Sequence, residues 1–312
     1  MDNVVRTDQL TKDFPVGFWR PRPRRALDRL SFDVPRGGVF GLLGPNGAGK
    51  TTTIKILCGL LAPTAGRAEV LGLPPGSTPA RARLGFLPEQ PTFYDHLTAE
   101  ELLTYFAGLV GYRGTACVAR VSAVLNRVGL GEDRRRPLRQ YSKGMIQRVG
   151  LAQAIVNDPE LVILDEPMAG LDPIGRRDVR QLILALGDEG RTVLFSSHIL
   201  SDAEALCTRV GILARGRLVR TGALGDLTSA GTRGWEVVVS GLAASVADRI
   251  AAGGAAVRRI AVGRYAIDVP TDRRPEPLVA ELAAAGASLV SVAPIGTTLE
   301  DVFVRSIDGG TP

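Results

Sequence analysis

Histidine is almost missing: 312 residues hold two, His96 and His198. Cysteine is nearly as scarce. Cys58, Cys117 and Cys207 show neither paired metal-ligand spacing nor the even count of a disulfide framework. A zinc module and a disulfide-stapled secreted scaffold are thereby excluded, and a reduced, cytosolic setting is expected. Aromatic residues make up 5% of the chain. They do not interleave with basic residues, so no nucleic acid is expected as a partner. No uninterrupted apolar run approaches the roughly 18–20 residues of a membrane span. Asp2, Arg6, Asp8, Lys12 and Asp13 interrupt the start with charge, which is not the pattern of a secretory signal.

What is present is an ordinary globular composition, 45% hydrophobic and 22% charged, with length enough for two domains. The net charge of +6 comes largely from arginine. One cluster, Arg20, Arg22, Arg24 and Arg25, is punctuated by Pro21 and Pro23. It lies between two alternating stretches, 4–11 and 27–34, that read as strands. A solvated hairpin loop is expected there rather than a surface for anionic lipid or an acidic partner, because prolines stiffen a loop without building a face. Phe14, Phe18 and Trp19 lie in or beside this loop, and Phe14 is the candidate to stack on a purine ring.

The chain is organised around Gly44-Pro45-Asn46-Gly47-Ala48-Gly49-Lys50-Thr51-Thr52, which follows the apolar run 39–43 and precedes a helical pattern over 53–61. This is G-x-x-x-x-G-K-[ST] in the strand–loop–helix context that makes it a phosphate-binding loop. Glycines let successive backbone N–H groups converge on a phosphate, helped by the positive end of the next helix. Lys50 reaches the β and γ oxygens in such a loop, and the Thr51 hydroxyl ligates Mg²⁺. The spacing predicts a nucleoside triphosphate, with Mg²⁺, as ligand.

Short strands are predicted over 68–71 and 84–87, the second ending at Pro88-Glu89-Gln90. Thr98 and Glu101 form a capping box opening a helix over 99–110, and a second amphipathic stretch covers 115–128. Residues from about 95 to 157 therefore read as a helical insertion. It ends in Tyr141-Ser142-Lys143-Gly144-Met145, with Ser142 at an N-cap position where free amides offer a second anion site. Residues 161–164 form a buried-looking strand that runs into Asp165-Glu166-Pro167. A strand ending in aspartate is the Mg²⁺-holding element of P-loop NTPases, and the glutamate beside it can polarise a water. Gly170-Leu171-Asp172-Pro173 reads as a turn. Residues 192–197 form another buried strand, which ends at His198, on the sheet edge where α/β proteins bind ligands. His96, among polar residues in a turn, reads as merely solvated.

Taken in order, the P-loop, Pro88-Glu89, Tyr141 to Met145, Leu164 to Pro167, Gly170-Leu171-Asp172 and Ser197-His198 resemble the nucleotide-binding subunit of an ABC transporter. The resemblance covers roughly residues 3–225. It is nearest to the separate ATPase subunits of ABC-2-type bacterial exporters, whose C-terminal region often carries a pattern like Thr298 to Phe303. It implies an ATP-hydrolysing motor that works as a head-to-tail dimer or pairs with a similar ATPase. Such a subunit drives a separate transmembrane permease, most often in export, from the cytoplasmic face of the membrane. In the residue roles it implies, Glu166 is the general base, and His198 contacts the γ-phosphate and holds the attacking water. Asp165 holds Mg²⁺ through its shell. Ser142 and Gly144 clamp ATP bound by the opposite subunit, and Asp172 sits at the dimer seam.

Two motifs depart from the family pattern. Lys143 and Met145 replace the glycine and glutamine of L-S-G-G-Q, while the serine and second glycine remain. The metal-contacting position after Pro88, normally glutamine, is Glu89, with Gln90 next to it; either side chain could take that role, or neither. An ABC-type ATPase acting on nucleic acid or ribosomes is the alternative, but tandem cassettes or coiled-coil insertions usual in such proteins are missing. The guanine-reading N-K-x-D of a GTPase switch is missing as well, and retention of Glu166 and His198 argues against a non-hydrolysing module.

The expected fold is α/β: a P-loop NTPase of ABC type over 1–225 with its helical insertion, and a small α+β domain over 233–312. A linker is expected around 221–232. Beyond it the predicted order is strand, helix, strand, strand, helix, strand (235–240, 243–252, 257–262, 265–269, 278–285, 289–292), that of a ferredoxin-like split βαβ unit. Without histidine or clustered carboxylates, this region carries no catalytic constellation; it is either regulatory or dimer-stabilising, or a stabilising appendage.

Overall fold

The computed structural model of the protein describes residues 2–17, 22–228, 234–296 and 298–308. The chain divides into two compact units, the first running to Leu224 and the second covering Gly225–Asp308.

The first unit begins with β1 (Asn3–Val16), β2 (Arg22–Pro35), β3 (Gly38–Leu43), α1 (Lys50–Leu57), β4 (Ala65–Val70), α2 (Thr78–Ala82) and β5 (Leu84–Leu87). Three helices follow: α3 (Ala99–Leu109), α4 (Gly114–Arg127) and α5 (Lys143–Ile155). The chain then forms β6 (Leu161–Leu164), α6 (Pro173–Asp188), β7 (Thr192–Ser197), α7 (Leu200–Leu206), β8 (Arg209–Ala214) and β9 (Arg217–Ala223). The main sheet has the order β5-β6-β7-β3-β8-β9 and is parallel except between β8 and β9. A second, antiparallel sheet has the order β2-β1-β4.

Every residue of β6 and β7 is buried. Parallel strands covered on both faces lose the in–out alternation and read as continuous apolar runs. Because β6, β7 and β3 are neighbours and run the same way, Leu43 lies opposite Ser197 and Leu164 opposite Phe195. The three loops that follow these strands therefore open on one sheet edge. One buried cluster joins β1, β2, β3, β6 and β7 to α1 through Leu10, Leu27, Phe40, Ile54, Ile163 and Leu194. Phe32 and Phe40 stack at 5.9 Å, fastening the small sheet to the main one.

The hairpin of β1 and β2 is longer than its hydrophobic alternation predicts. Pairing continues through Asp13↔Arg25, Phe14↔Arg24, Pro15↔Pro23 and Val16↔Arg22. Arg22, Arg24 and Arg25 are thus strand residues, not loop residues. Charge also pairs across these strands: Arg25 donates from Nε and Nη2 to the two Asp13 oxygens at 2.9 and 3.2 Å. The predicted positions Phe18, Trp19, Arg20 and Pro21 lie outside the described residues.

The helix after the P-loop also differs from its predicted span, starting at Lys50 and ending at Leu57. Gly49 is its N-cap at φ +107°, and a Cβ there would meet Leu27 Cδ2 at 2.6 Å and the Ala26 carbonyl at 2.9 Å. Only glycine fits that approach. The predicted linker is likewise corrected in part. Residues 221–223 complete β9, with Thr221 opposite Gly211, and α8 (Leu224–Thr228) follows. That pairing is long-range, so local composition does not reveal it. Residues 229–232 lie outside the described residues.

The second unit continues with β10 (Gly234–Ser240), α9 (Ala244–Ala252), β11 (Ala256–Ala261), β12 (Arg264–Pro270), α10 (Pro275–Ala284), β13 (Ser288–Ile295) and α11 (Leu299–Asp308). Its sheet has the order β11-β12-β10-β13, antiparallel throughout. That is the strand arrangement of a split βαβ unit. Val237, Val239, Ile267, Val269 and Leu282 form its core. Thr298 and Asp301 cap α11 reciprocally: Thr298 N–H donates to Asp301 Oδ2 at 3.1 Å, and Asp301 N–H to Thr298 Oγ1 at 3.2 Å.

Candidate functional site

The loop after β3 and the start of α1 form the floor of a cleft of about 550 Å³ at the carboxyl ends of the parallel strands. Pro45 to Thr52 line it, together with Phe14, Arg24, Glu89, Glu166 and His198. Gly44 stands just behind, where a Cβ would run into the Leu213 carbonyl and the Ala48 side chain. The left-handed Gly47 (φ +79°) and Gly49 turn the loop back on itself ahead of α1, and the Ala48 N–H closes the turn on the Pro45 carbonyl at 3.1 Å.

Lys50 is 5% exposed. Its Nζ donates to the Gly44 carbonyl at 2.7 Å and lies 3.1 Å from Glu166 Oε1. Glu166 Oε2 is in turn 2.9 Å from His198 Nδ1, so a proton on that nitrogen is donated to the carboxylate. One carboxylate thus joins the P-loop lysine to the histidine that follows β7.

Asp165 is buried behind this group. Its Oδ1 accepts the Thr51 hydroxyl at 3.3 Å and the Ser196 hydroxyl at 2.6 Å. Burial raises its carboxyl above the usual aspartate range, with the neighbouring Glu166 adding to the rise. The hydrogen bonds from Ser196 and Thr51, and the Lys50 charge, oppose it. Among the described residues no group of three His, Cys, Asp or Glu side chains could hold a metal alone. A hydroxyl and a carboxylate side by side suit Mg²⁺, which prefers one or two protein oxygens plus phosphate oxygens and water.

Phe14 lines the cleft directly across the hairpin from Arg24, and Lys12 Nζ lies 5.2 Å from its ring centroid. Glu89 lines the cleft while Gln90 does not, and both are exposed. Ser142, Gly144 and Asp172 are not brought to this cleft. Ser142 caps α5 by accepting the Met145 N–H at 3.3 Å, and its residue is exposed. Asp172 caps α6 by accepting the Gly175 N–H at 2.7 Å. His96 is exposed, near Asp95.

Two participants escaped the sequence reading. Ser196 donates to Asp165 and accepts the Glu166 N–H at 2.9 Å. Gln147, buried in α5, donates to the Pro167 carbonyl at 2.9 Å. The available signal was slight: Ser196 closes the apolar run 193–195 just before Ser197 and His198, and Gln147 stands beside Arg148.

The family model described as "ABC transporter" matches residues 27–169. Over 307 residues the chain is 43% identical to an uncharacterised ABC transporter ATP-binding protein of Synechocystis, covering 98% of this chain and 85% of that protein. It is 40% identical to the bacitracin transport ATP-binding protein BcrA of Bacillus licheniformis, over 70% of this chain and 69% of BcrA. Among solved structures, it is similar to the ATP-binding cassette MJ0796 in a dimeric post-hydrolysis state with ADP and Pi. That similarity has a TM-score of 0.64 at 26% identity, over 70% of this chain and 98% of the other.

Proposed function

This chain belongs to the ATP-binding subunits of ABC transporters and is a P-loop ATPase, and from that premise we propose that it is the motor of an exporter. Two copies, or one copy and a similar ATPase, close on two ATP molecules and drive a separate transmembrane permease from the cytoplasmic face. The observation that carries this reading is the Glu166 carboxylate, 3.1 Å from Lys50 Nζ and 2.9 Å from His198 Nδ1 at the phosphate-binding loop. The position of Ser142 and Asp172 away from that cleft supports the dimer, since their implied work is on the opposite subunit's nucleotide. Among the described residues no helix is long and apolar enough to cross a membrane, which supports a separate permease. The bacitracin transport name of BcrA and the resemblance to ABC-2-type exporters support outward transport.

In this reading the P-loop amides and Lys50 hold the β and γ phosphates, and Phe14 stacks on the adenine. Thr51 and Asp165, with Glu89 beside the P-loop, would hold Mg²⁺, which would offset phosphate charge. Glu166 accepts a proton from the attacking water, and His198 keeps that water and the γ-phosphate in line. Hydrolysis then releases the closed dimer.

The test is Glu166→Gln. The variant should bind MgATP, hydrolyse it about 10²–10⁴-fold more slowly, and elute as a dimer on size exclusion with MgATP. The parent without nucleotide should elute mainly as a monomer. A variant that stays monomeric at saturating MgATP, or turns over at the parent rate, overturns the reading.

A further inference from the structure

Glu166 has a left-handed backbone, φ +46°, which a side chain of its kind adopts only where its surroundings over-determine it. Two hydrogen bonds bracket that conformation. Before the residue, the Ser196 hydroxyl accepts the Glu166 N–H at 2.9 Å. After it, Gln147 Nε2 donates to the Pro167 carbonyl at 2.9 Å. Proline has no N–H of its own, so this carbonyl is the polar group by which residue 167 can be held.

Gln147 is 5% exposed, and it lies in α5 among Val149, Gly150, Leu151 and Ala152, all buried. An amide in such a place is costly unless it is paired. Its donor goes to the peptide next to the carboxylate that faces Lys50 and His198, and to no other described element. The same helix meets this turn again near its start, where a Cβ on Gly170 would collide with Lys143 Nζ. α5 therefore meets this turn at Pro167 and again beside Gly170.

We propose that Gln147 is a positioning residue for Glu166: its amide N–H, acting through the Pro167 carbonyl, keeps the Glu166 carboxylate directed at Lys50 and His198. It touches no reacting atom. Without the donor, the Pro167 carbonyl is left unpaired and the turn can relax out of its left-handed state, carrying the carboxylate off line. The P-loop and Phe14 are untouched, so nucleotide binding persists while turnover falls. The inference rests on the reading of Glu166 as the base.

The experiment compares full-length Gln147→Met, Gln147→Glu and Glu166→Gln with the parent, by ATPase kinetics across pH and by MgATP titration. Gln147→Met keeps the length and removes the donor. Its kcat should fall by about 10–10²-fold, the scale of a misplaced reacting group, with KM and MgATP affinity at the parent values. A protonated carboxyl can donate to the Pro167 carbonyl and a carboxylate cannot. The kcat of Gln147→Glu relative to the parent should therefore fall as pH rises, while that of Gln147→Met stays flat. Parent-like kcat in Gln147→Met overturns the proposal, as does a loss shared equally by turnover and MgATP binding, or a flat ratio for Gln147→Glu. If Glu166→Gln itself keeps parent turnover, the reading of Glu166 falls and takes the proposal with it. If Glu166→Gln loses turnover and Gln147→Met does not, the proposal falls alone.

Discussion

Lys50 is enclosed by its own loop, with its ammonium bonded to the Gly44 carbonyl and paired with Glu166. A compact charge so placed, in a glycine-rich loop before a helix, is suited to phosphate oxygens. Lys50→Ala should abolish tight MgATP binding in a titration, and unchanged affinity would show that the P-loop works by amides alone. Glu89 raises a different question at the same scale. Its carboxylate lines the cleft where the family pattern has an amide, and it adds negative charge near a triphosphate unless Mg²⁺ lies between them. As the ligand, Glu89→Ala should raise the Mg²⁺ concentration for half-maximal ATPase activity, Glu89→Gln should largely keep turnover, and Gln90→Ala should do little. An Mg²⁺ titration of the three variants decides it; a shift confined to Gln90→Ala would transfer the role by one residue.

Elements are legible where local chemistry sets them. The T-x-x-E pattern before α3 forms as a reciprocal cap: the Glu101 N–H donates to Thr98 Oγ1 at 3.1 Å and the Thr98 N–H to Glu101 Oε2 at 2.9 Å. Thr98→Ala should cost about 1 kcal/mol of stability, read from urea unfolding, with Thr98→Ser restoring most of it. β6 and β7 were equally legible, because burial on both faces requires unbroken apolar runs. The end of the β1–β2 hairpin was not. Its partners are charged, aromatic and proline residues, which carry no alternation, and its Arg25–Asp13 ion pair joins residues 12 apart. α6 was missed beyond its opening turn, although Asp172 caps it and Pro173 starts it.

At the scale of the first unit, Glu160 ties segments that lie far apart in the chain. It sits just before β6 and takes hydrogen bonds from Arg83, just before β5, and from Arg36, which follows β2. Arg83 first, then Arg36, holds its carboxyl at about 2, below its usual 4.5. A depressed carboxyl contributes stability that is present above the unfolded value and is lost as pH falls through the folded one. That window is about 4.5 down to about 2. With the Glu160 side chain 42% exposed, solvent screens most of the gain. Glu160→Gln should therefore cost about 0.5–1 kcal/mol above pH 4.5 and converge on the parent as pH falls below about 2, in urea midpoints measured across pH.

What the residues alone determine is the chemistry: a loop of glycines ending in Lys50-Thr51, a strand ending in Asp165-Glu166 and a strand ending in His198. Each depends on a short stretch whose hydrogen-bonding and steric demands are local. Only the tertiary structure decided which of these groups meet. The strand order β6-β7-β3, set by long-range parallel pairing, places Lys50, Glu166 and His198 within one hydrogen-bond chain. The same packing keeps Ser142 and Asp172 out of the cleft, as caps on other helices. It also brings Gln147, 20 residues away in sequence, against the carbonyl that follows Glu166. Such contacts depend on which surfaces exclude water together, and no local pattern in a single sequence encodes that.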